Sequence, residues 1–483
     1  MSEDIDMAHW SDEELQDLLV PRDCDVEGSP HLSRLPERGS VELTIAIPTL
    51  DDFDGAWFTI ASLRVHHAHL MPATQILVLD NHPAREGAVS LRELASSVPN
   101  VYYVPVGAFR STTVCGMAFR LAAAETVIVL DSHVLLPPGS PDAVLHYFRA
   151  HPESRDLVQG PVLGPGGDEV AATHCAEVWT GGAYSWWELD GRGVDPHGDP
   201  FPVPMQGLGA FACRRVAWPG LHPRLRGYSC NEWYVHEKFR RRGGHTLCLP
   251  GFRWHHRFPR PSGIPYSITW DDRIRNYLIC WWELGLDTTV MLEHFREVLD
   301  SSYVRSVVDD VDEEFSSPCG HLDGVLFPQR HELVDDAEVR QESDRRKIPF
   351  WTIGPVEESD PETERILAYR RCLRFAYLYR WESLVVTEPG SCLSSALEAY
   401  TESGELGGPA RLLHEVPPGQ EHQGSCTVVH DSSGVVDLLN LLPRDSDQVR
   451  VWSAENGPFH SWLTRTLRTL AHRPSVEMST ASR

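Results

Sequence analysis

Two side chains that can bind a metal stand two residues apart in VIVLDSHVLLPPG (127–139): Asp131 and His133. The apolar run before them reads as a buried strand, and the prolines and glycine after them read as a loop. One carboxylate and one imidazole can there face the same cation, with room for a diphosphate to supply further oxygens. Oxygen-rich ligation with one or two imidazoles suits manganese or magnesium better than a structural zinc site. Asp-x-His is a short pattern that arises by chance in many chains, so its context decides.

That context is a series of strand ends. The runs LTIAIP (43–48), QILVLD (75–80), VYYVPV (101–106) and TVIVLD (126–131) alternate with helical stretches such as Trp57 to His66 and Thr113 to Ala124. Nearly all-apolar strands separated by helices predict an α/β fold with a parallel sheet covered on both faces. In such sheets ligands sit in the crevice beyond the carboxyl ends of the strands. Polar residues collect there: Thr49, Asp51 and Asp52 after the first strand, Asp80 and Asn81 after the second, Asp131 and His133 after the fourth. A single such residue is more often a turn former or a helix cap. Three strand ends carrying them point to a site.

The series IAIPTLDD (45–52), LVLDN (77–81) and IVLDSH (128–133) resembles the strand ends of family 2 glycosyltransferases and, in its D-S-H form, those of the polypeptide N-acetylgalactosaminyltransferases. The resemblance implies the GT-A fold, a nucleotide-binding α/β sandwich in which an acidic metal motif grips the donor diphosphate of a nucleotide-sugar. By it Pro48, Thr49 and Asp80 lie against the nucleoside with Asp52 nearby, and Asp131 and His133 hold Mn2+ or Mg2+. PMQGLGAFACRRVAW (204–218) is similar to the segment these enzymes place against the donor sugar, where Gly207 and Gly209 let backbone approach closely. CNEWYVHEKFRRRGG (230–244) is similar to the family's acidic pair, with Asn231 and Glu232 on the two acidic positions. LPGFRWHHRF (249–258) matches the place of a further metal histidine, His256 in preference to His255. Glu232 then takes the proton of an incoming hydroxyl. Glu237, about 140° round the same helix, is the weaker candidate.

Departures accompany the resemblance, which covers about residues 41–260. Asp80-Asn81 and Asn231-Glu232 each keep one carboxylate where the family has two, and RSTTVCG (110–116) lacks the usual Arg-Asn step.

Between metal motif and base lies VWTGGAYSWWELDGRGVDPHGD (178–199), whose Trp179, Trp186 and Trp187 form an acceptor platform, belong to a loop that closes over the donor, or simply fill the core. Further on, LDGVLFPQRHEL (322–333), SDRRKIPFWTIGP (343–355) and ILAYRRCLRFAYLYRWESLVVTEPGS (366–391) resemble a divergent family 25 glycosyltransferase, with Glu388 alone where an acidic metal motif belongs. The resemblance implies a second, degenerate α/β domain without its own metal.

The 483 residues exceed one ordinary core, so we expect an acidic lead-in (1–40) with a short helix at Asp12 to Leu19, a transferase domain (41–300), an acidic linker (301–320), a second domain (321–472) and a loose tail (473–483). The 11 scattered cysteines, the acidic N-terminus and the lack of a long apolar run fit a cytoplasmic enzyme. A net charge of -26 disfavours nucleic acid as acceptor. The expected activity is a metal-dependent hexosyl transfer from a nucleotide-sugar, UDP by default, to a glycan, protein or small-molecule hydroxyl. Two other readings compete. A nucleotidyltransferase would want a glycine-rich basic loop after the first strand, where IPTLDDFDG (47–55) is acidic. An inactive carbohydrate- or nucleotide-binding scaffold would have lost the ligands.

Overall fold

In a computed structural model the described residues are 7, 10–20, 31–107, 112–167, 169–227, 231–256, 268–316 and discontinuous parts of 319–467. The chain divides into two compact units: Trp10–Val20 with Asp25–Val311, and the remainder.

Among the described residues the N-terminal unit has fourteen strands: β1 (Leu43–Thr49), β2 (Thr74–Asp80), β3 (Val101–Pro105), β4 (Thr126–Leu130), β5 (Val134–Leu135), β6 (Leu157–Gln159), β7 (Val162–Leu163), β8 (Val170–Ala172), β9 (His174–Thr180), β10 (Ala183–Glu188), β11 (Phe201–Pro202), β12 (Ala210–Arg214), β13 (Thr246–Cys248) and β14 (Trp254–His256). Eight form one sheet in the order β11-β13-β6-β12-β4-β1-β2-β3, in which only β12 and β11 run against the rest. The expected parallel arrangement is therefore present. Its cause is visible in β2, buried at every position and so covered on both faces.

Helices α1 (Asp12–Leu19), α2 (Phe53–His66), α3 (Gly87–Ser97), α4 (Cys115–Leu121) and α5 (Ser140–Ala150) precede α6 (Glu232–Arg241), α7 (Trp270–Glu283) and α8 (Thr289–Val298). One core packs Ile45, Ile47, Ile76 and Val78 of the sheet against Ile60, Leu63, Leu91, Val144 and Phe148 of the helices. On α4 and α6, Phe119 and Phe239 pack about Trp218, with Phe119 stacked on it at 4.3 Å. The short helix expected in the lead-in is α1, capped by Ser11 accepting from Glu14 N. Residues 31–40 are held as well: Ser33 N donates to Tyr103 O, and Tyr103 N donates to Ser33 Oγ.

A smaller sheet, β5-β14-β7-β8, sits beyond the strand ends. Its antiparallel β5/β14 pairing sets His256 opposite Val134, beside His133. Gly160, just before β7, allows the close pass, since a Cβ there would stand 1.6 Å from Phe252 O.

Residues 301–316, within the stretch read from sequence as an acidic linker, form a helix, α9 (Ser301–Ser316), and the division between the two units falls inside it. Val304, Val307 and Val311 are buried at helical spacing, an apolar stripe that the surrounding acids hide from a reading by charge.

The C-terminal unit has α10 (Ala337–Arg345), α11 (Pro361–Tyr379) and strands β15 (Gly324–Pro328), β16 (Phe350–Ile353), β17 (Leu384–Thr387), β18 (Ala410–His414) and β19 (Cys426–Val429). The sheet order is β16-β15-β17-β19-β18, with the first three parallel. Asp360 caps α11 by accepting from Thr363 N, and Pro361 starts it. Pro389, Gly390 and the expected tail from Arg473 lie outside the described residues.

Candidate metal centre

At the end of β4 the backbone of Asp131 donates to Gly209 O at 2.9 Å, so the β4/β12 pairing fixes where its side chain starts. His133 follows two residues on, and β14 delivers His256. Oδ2 of Asp131 and Nε2 of both histidines face one another: 3.0 Å between the histidines, 3.4 Å from His256 to Asp131, and 3.8 Å from His133 to Asp131. The point equidistant from these three atoms lies about 2.0 Å from each, the length of a metal–imidazole or metal–carboxylate bond. The donor set thus fits a divalent cation, and it is the one such cluster among the described residues. The two imidazoles are only 6% and 9% exposed, whereas the Asp131 side chain is 46% exposed. The triangle therefore opens toward solvent on its carboxylate side, where a charged ligand can enter.

The surroundings are shaped to this triangle. A Cβ on Gly209 would lie 3.0 Å from the Trp254 ring and 3.3 Å from Asp131 Oδ2. Trp254 cannot retreat freely, because it is buried and its Nε1 donates to Gly160 O at 2.8 Å. Gly207 abuts the Trp187 ring, which is half-exposed.

Asp80, at the end of β2, is buried and accepts from Tyr103 Oη at 2.7 Å and from His82 N at 3.0 Å. Burial raises its pKa to about 6 against the lowering effect of these two hydrogen bonds. Thr49 pairs with it in register across β1/β2, and Pro48 precedes Thr49. Asp52 caps α2 through Gly55 N and also meets the metal cluster, with Oδ2 at 2.6 Å from Ser132 Oγ and 3.2 Å from His133 Nδ1.

Glu232 is the first residue of α6. Burial pushes its carboxyl up and the nearby Asp131 carboxylate adds to this, against the pull of backbone N–H groups and Arg273. Glu237 is differently placed. Burial pushes it up, but Arg241 at 2.8 Å and Arg240 at 2.9 Å outweigh this and hold it low. It is an ion-paired carboxylate on another side of the helix.

The three tryptophans separate. Trp179 is packed among Tyr184, Tyr277, Trp281, His294 and Phe295, with ring centroids 4.8 to 5.7 Å away. Trp186 and Trp187, on the partner strand of the same hairpin, are exposed. In the C-terminal unit Glu388 is buried and takes a two-pronged ion pair from Arg365 at 2.5 and 2.7 Å.

Sequence reasoning missed Ser132, Tyr103 and Trp254. Ser132 lies inside the motif itself, whereas the other two act through pairings that spacing does not encode.

No protein-family model matches the chain, and no curated protein matches it. Among solved structures it is similar to GalNAc-T7 with UDP, GalNAc and Mn2+, at 14% identity and a TM-score of 0.39, over 65% of this chain and 56% of that one. It is similar also to a mannosyltransferase from Pyrobaculum calidifontis in complex with GDP-Man and Mn2+ (13%, TM-score 0.35, 63% and 83%) and to S. aureus TarS (11%, TM-score 0.34, 69% and 49%). The chain thus spans little more than half the length of GalNAc-T7. Overlays this partial leave the chemistry to the chain's own residues. Among the described residues no helix is long and apolar enough to cross a membrane.

Proposed function

We propose that this protein is a metal-dependent glycosyltransferase that moves a sugar from a nucleotide-sugar, a UDP-sugar by first choice, to a hydroxyl-bearing acceptor. The observation that carries the reading is the triangle of Asp131, His133 and His256, sized for a cation and set at the strand ends of a mostly parallel sheet. Asp131, His133 and His256 would hold Mn2+ or Mg2+, which would supply positive charge to a leaving diphosphate.

The chain's own residues do the rest. Pro48, Thr49 and Asp80, side by side on neighbouring strand ends, line the place of the nucleoside. Gly209 leaves room for Asp131 Oδ2 and the Trp254 ring, and Gly207 for the Trp187 ring, so that this backbone lies close beside the place of the donor sugar. Glu232 accepts the proton of the acceptor hydroxyl; its raised pKa makes it a stronger base than an ordinary carboxylate. Trp186 and Trp187 offer exposed rings on which an acceptor can stack.

In this reading residues 321–472 form a second, non-catalytic domain for acceptor binding or assembly, with Glu388 neutralised by Arg365. The eight cysteines among the described residues are thiols rather than disulfides, which suits the cytoplasm.

The test is binding and slow hydrolysis of a panel of UDP- and GDP-sugars with and without Mn2+, comparing wild type with Asp131→Ala. The proposal expects one donor to bind and turn over only with metal, and Asp131→Ala to lose both. No binding of any nucleotide-sugar under any metal would overturn it.

A further inference from the structure

The resemblance puts Asp52 near the nucleotide, but its contacts lead elsewhere. Its Oδ1 accepts from Gly55 N at 3.2 Å, the capping bond that starts α2. Its Oδ2 stands 2.6 Å from Ser132 Oγ and 3.2 Å from His133 Nδ1. One carboxylate thus joins a helix N-terminus to the loop that carries two of the three ligands. About two turns further along α2, buried Thr59 holds the same loop, with Oγ1 2.8 Å from Ser132 O and 2.9 Å from Val134 O.

We infer that Asp52 is a positioning residue for the metal centre, acting through His133 rather than through the nucleotide. A carboxylate only accepts, so the Ser132 hydroxyl and the His133 Nδ1–H both donate to Oδ2. Ser132 Oγ, 3.2 Å from His133 Nδ1, flanks the same bond. With its proton held at Nδ1, the neutral ring keeps the lone pair of Nε2, the atom that faces Asp131 and His256. The contact also fixes the ring's rotation about the metal site. Because Asp52 is anchored at the start of a 14-residue helix, the bond is a rigid one.

The inference rests on the metal reading above, and its test uses Mn2+ alone, without nucleotide. Mn2+ affinity is measured by calorimetry on the full chain, with the thermal midpoint of the metal-free protein as a separate readout. Asp52→Ser keeps an oxygen able to cap α2 but too short to reach His133, so it separates the two roles. We expect the metal-free midpoint of Asp52→Ser to stay near wild type while Mn2+ affinity falls about 10–100-fold. Asp52→Asn, whose amide oxygen can still accept from Nδ1–H, recovers part of that loss. Wild-type affinity in Asp52→Ser overturns the positioning role and leaves the metal centre standing. Failure of wild type itself to bind Mn2+ overturns both.

Discussion

Replacing Gly209 by alanine sets a methyl group against the metal ligand, and the structure fixes which neighbour must yield. The new Cβ would lie 3.0 and 3.1 Å from two Trp254 ring atoms and 3.3 Å from Asp131 Oδ2. Trp254 is buried and tied through Nε1 to Gly160 O, whose own backbone is wedged against Phe252. Trp254 is the tighter contact and the tethered one, so the new methyl shifts by a few tenths of an ångström toward the half-exposed Asp131 and turns Oδ2 out of the triangle. Overpacking of this kind costs about 1–3 kcal/mol. When the metal forces the carboxylate back, most of that strain reappears as weaker binding, about 5–100-fold at about 1.4 kcal/mol per tenfold. The assay is Mn2+ calorimetry, with the metal-free thermal midpoint recorded beside it; relief by rotation of Asp131 should hold the midpoint within a few degrees of wild type. Gly207→Ala is the control. Its Cβ meets only the Trp187 ring, 2.9 Å away on a half-exposed side chain that can swing outward, so Mn2+ affinity should be kept. The reasoning fails if Gly209→Ala binds Mn2+ like wild type, or if Gly207→Ala weakens it equally.

Two further outcomes are expected. Glu232→Gln should lower kcat about 10²–10⁴-fold while leaving Mn2+ and donor binding in place, whereas Glu237→Gln, already committed to Arg240 and Arg241, should change kcat little; comparable kcat losses in both would remove Glu232 from its role. For Asp80 the folded pKa of about 6 lies above the ordinary 3.8, so the folded state holds the proton more tightly. Its contribution to stability is full below about pH 3.8 and is lost as pH rises through about 6. Urea unfolding from pH 4 to 7 should show that decline in wild type and a flatter profile in Asp80→Asn; parallel profiles would speak against the assignment.

The sequence by itself determined the sheet and the main chemical groups. Nearly unbroken apolar runs at 43–48, 75–80 and 126–131 can be satisfied only by burial on both faces, which is what a central parallel strand provides. Asp131 and His133 were legible because two residues of chain after a strand leave no doubt that both lie near one strand end. The helix over residues 301–316 is hidden in sequence because charge is conspicuous there, while a stripe of three valines shows only when its helical period is followed.

Only the tertiary structure decided the rest. His256, reached in sequence only through a resemblance, lies 123 residues beyond His133, and its contact with it is made by the pairing of two very short strands, β5 and β14, too brief to carry a periodic signal. The double duty of Asp52 depends on a loop 80 residues away, and nothing in TLDD distinguishes a helix cap from a nucleotide contact. Helical spacing already set Glu232 ahead of Glu237, but only packing gives the cause that each charge state follows: burial beside Asp131 raises one, and two arginines hold the other low. Spacing along the chain fixes which groups share an element, but the distances that let three atoms share one ion are set by packing between elements.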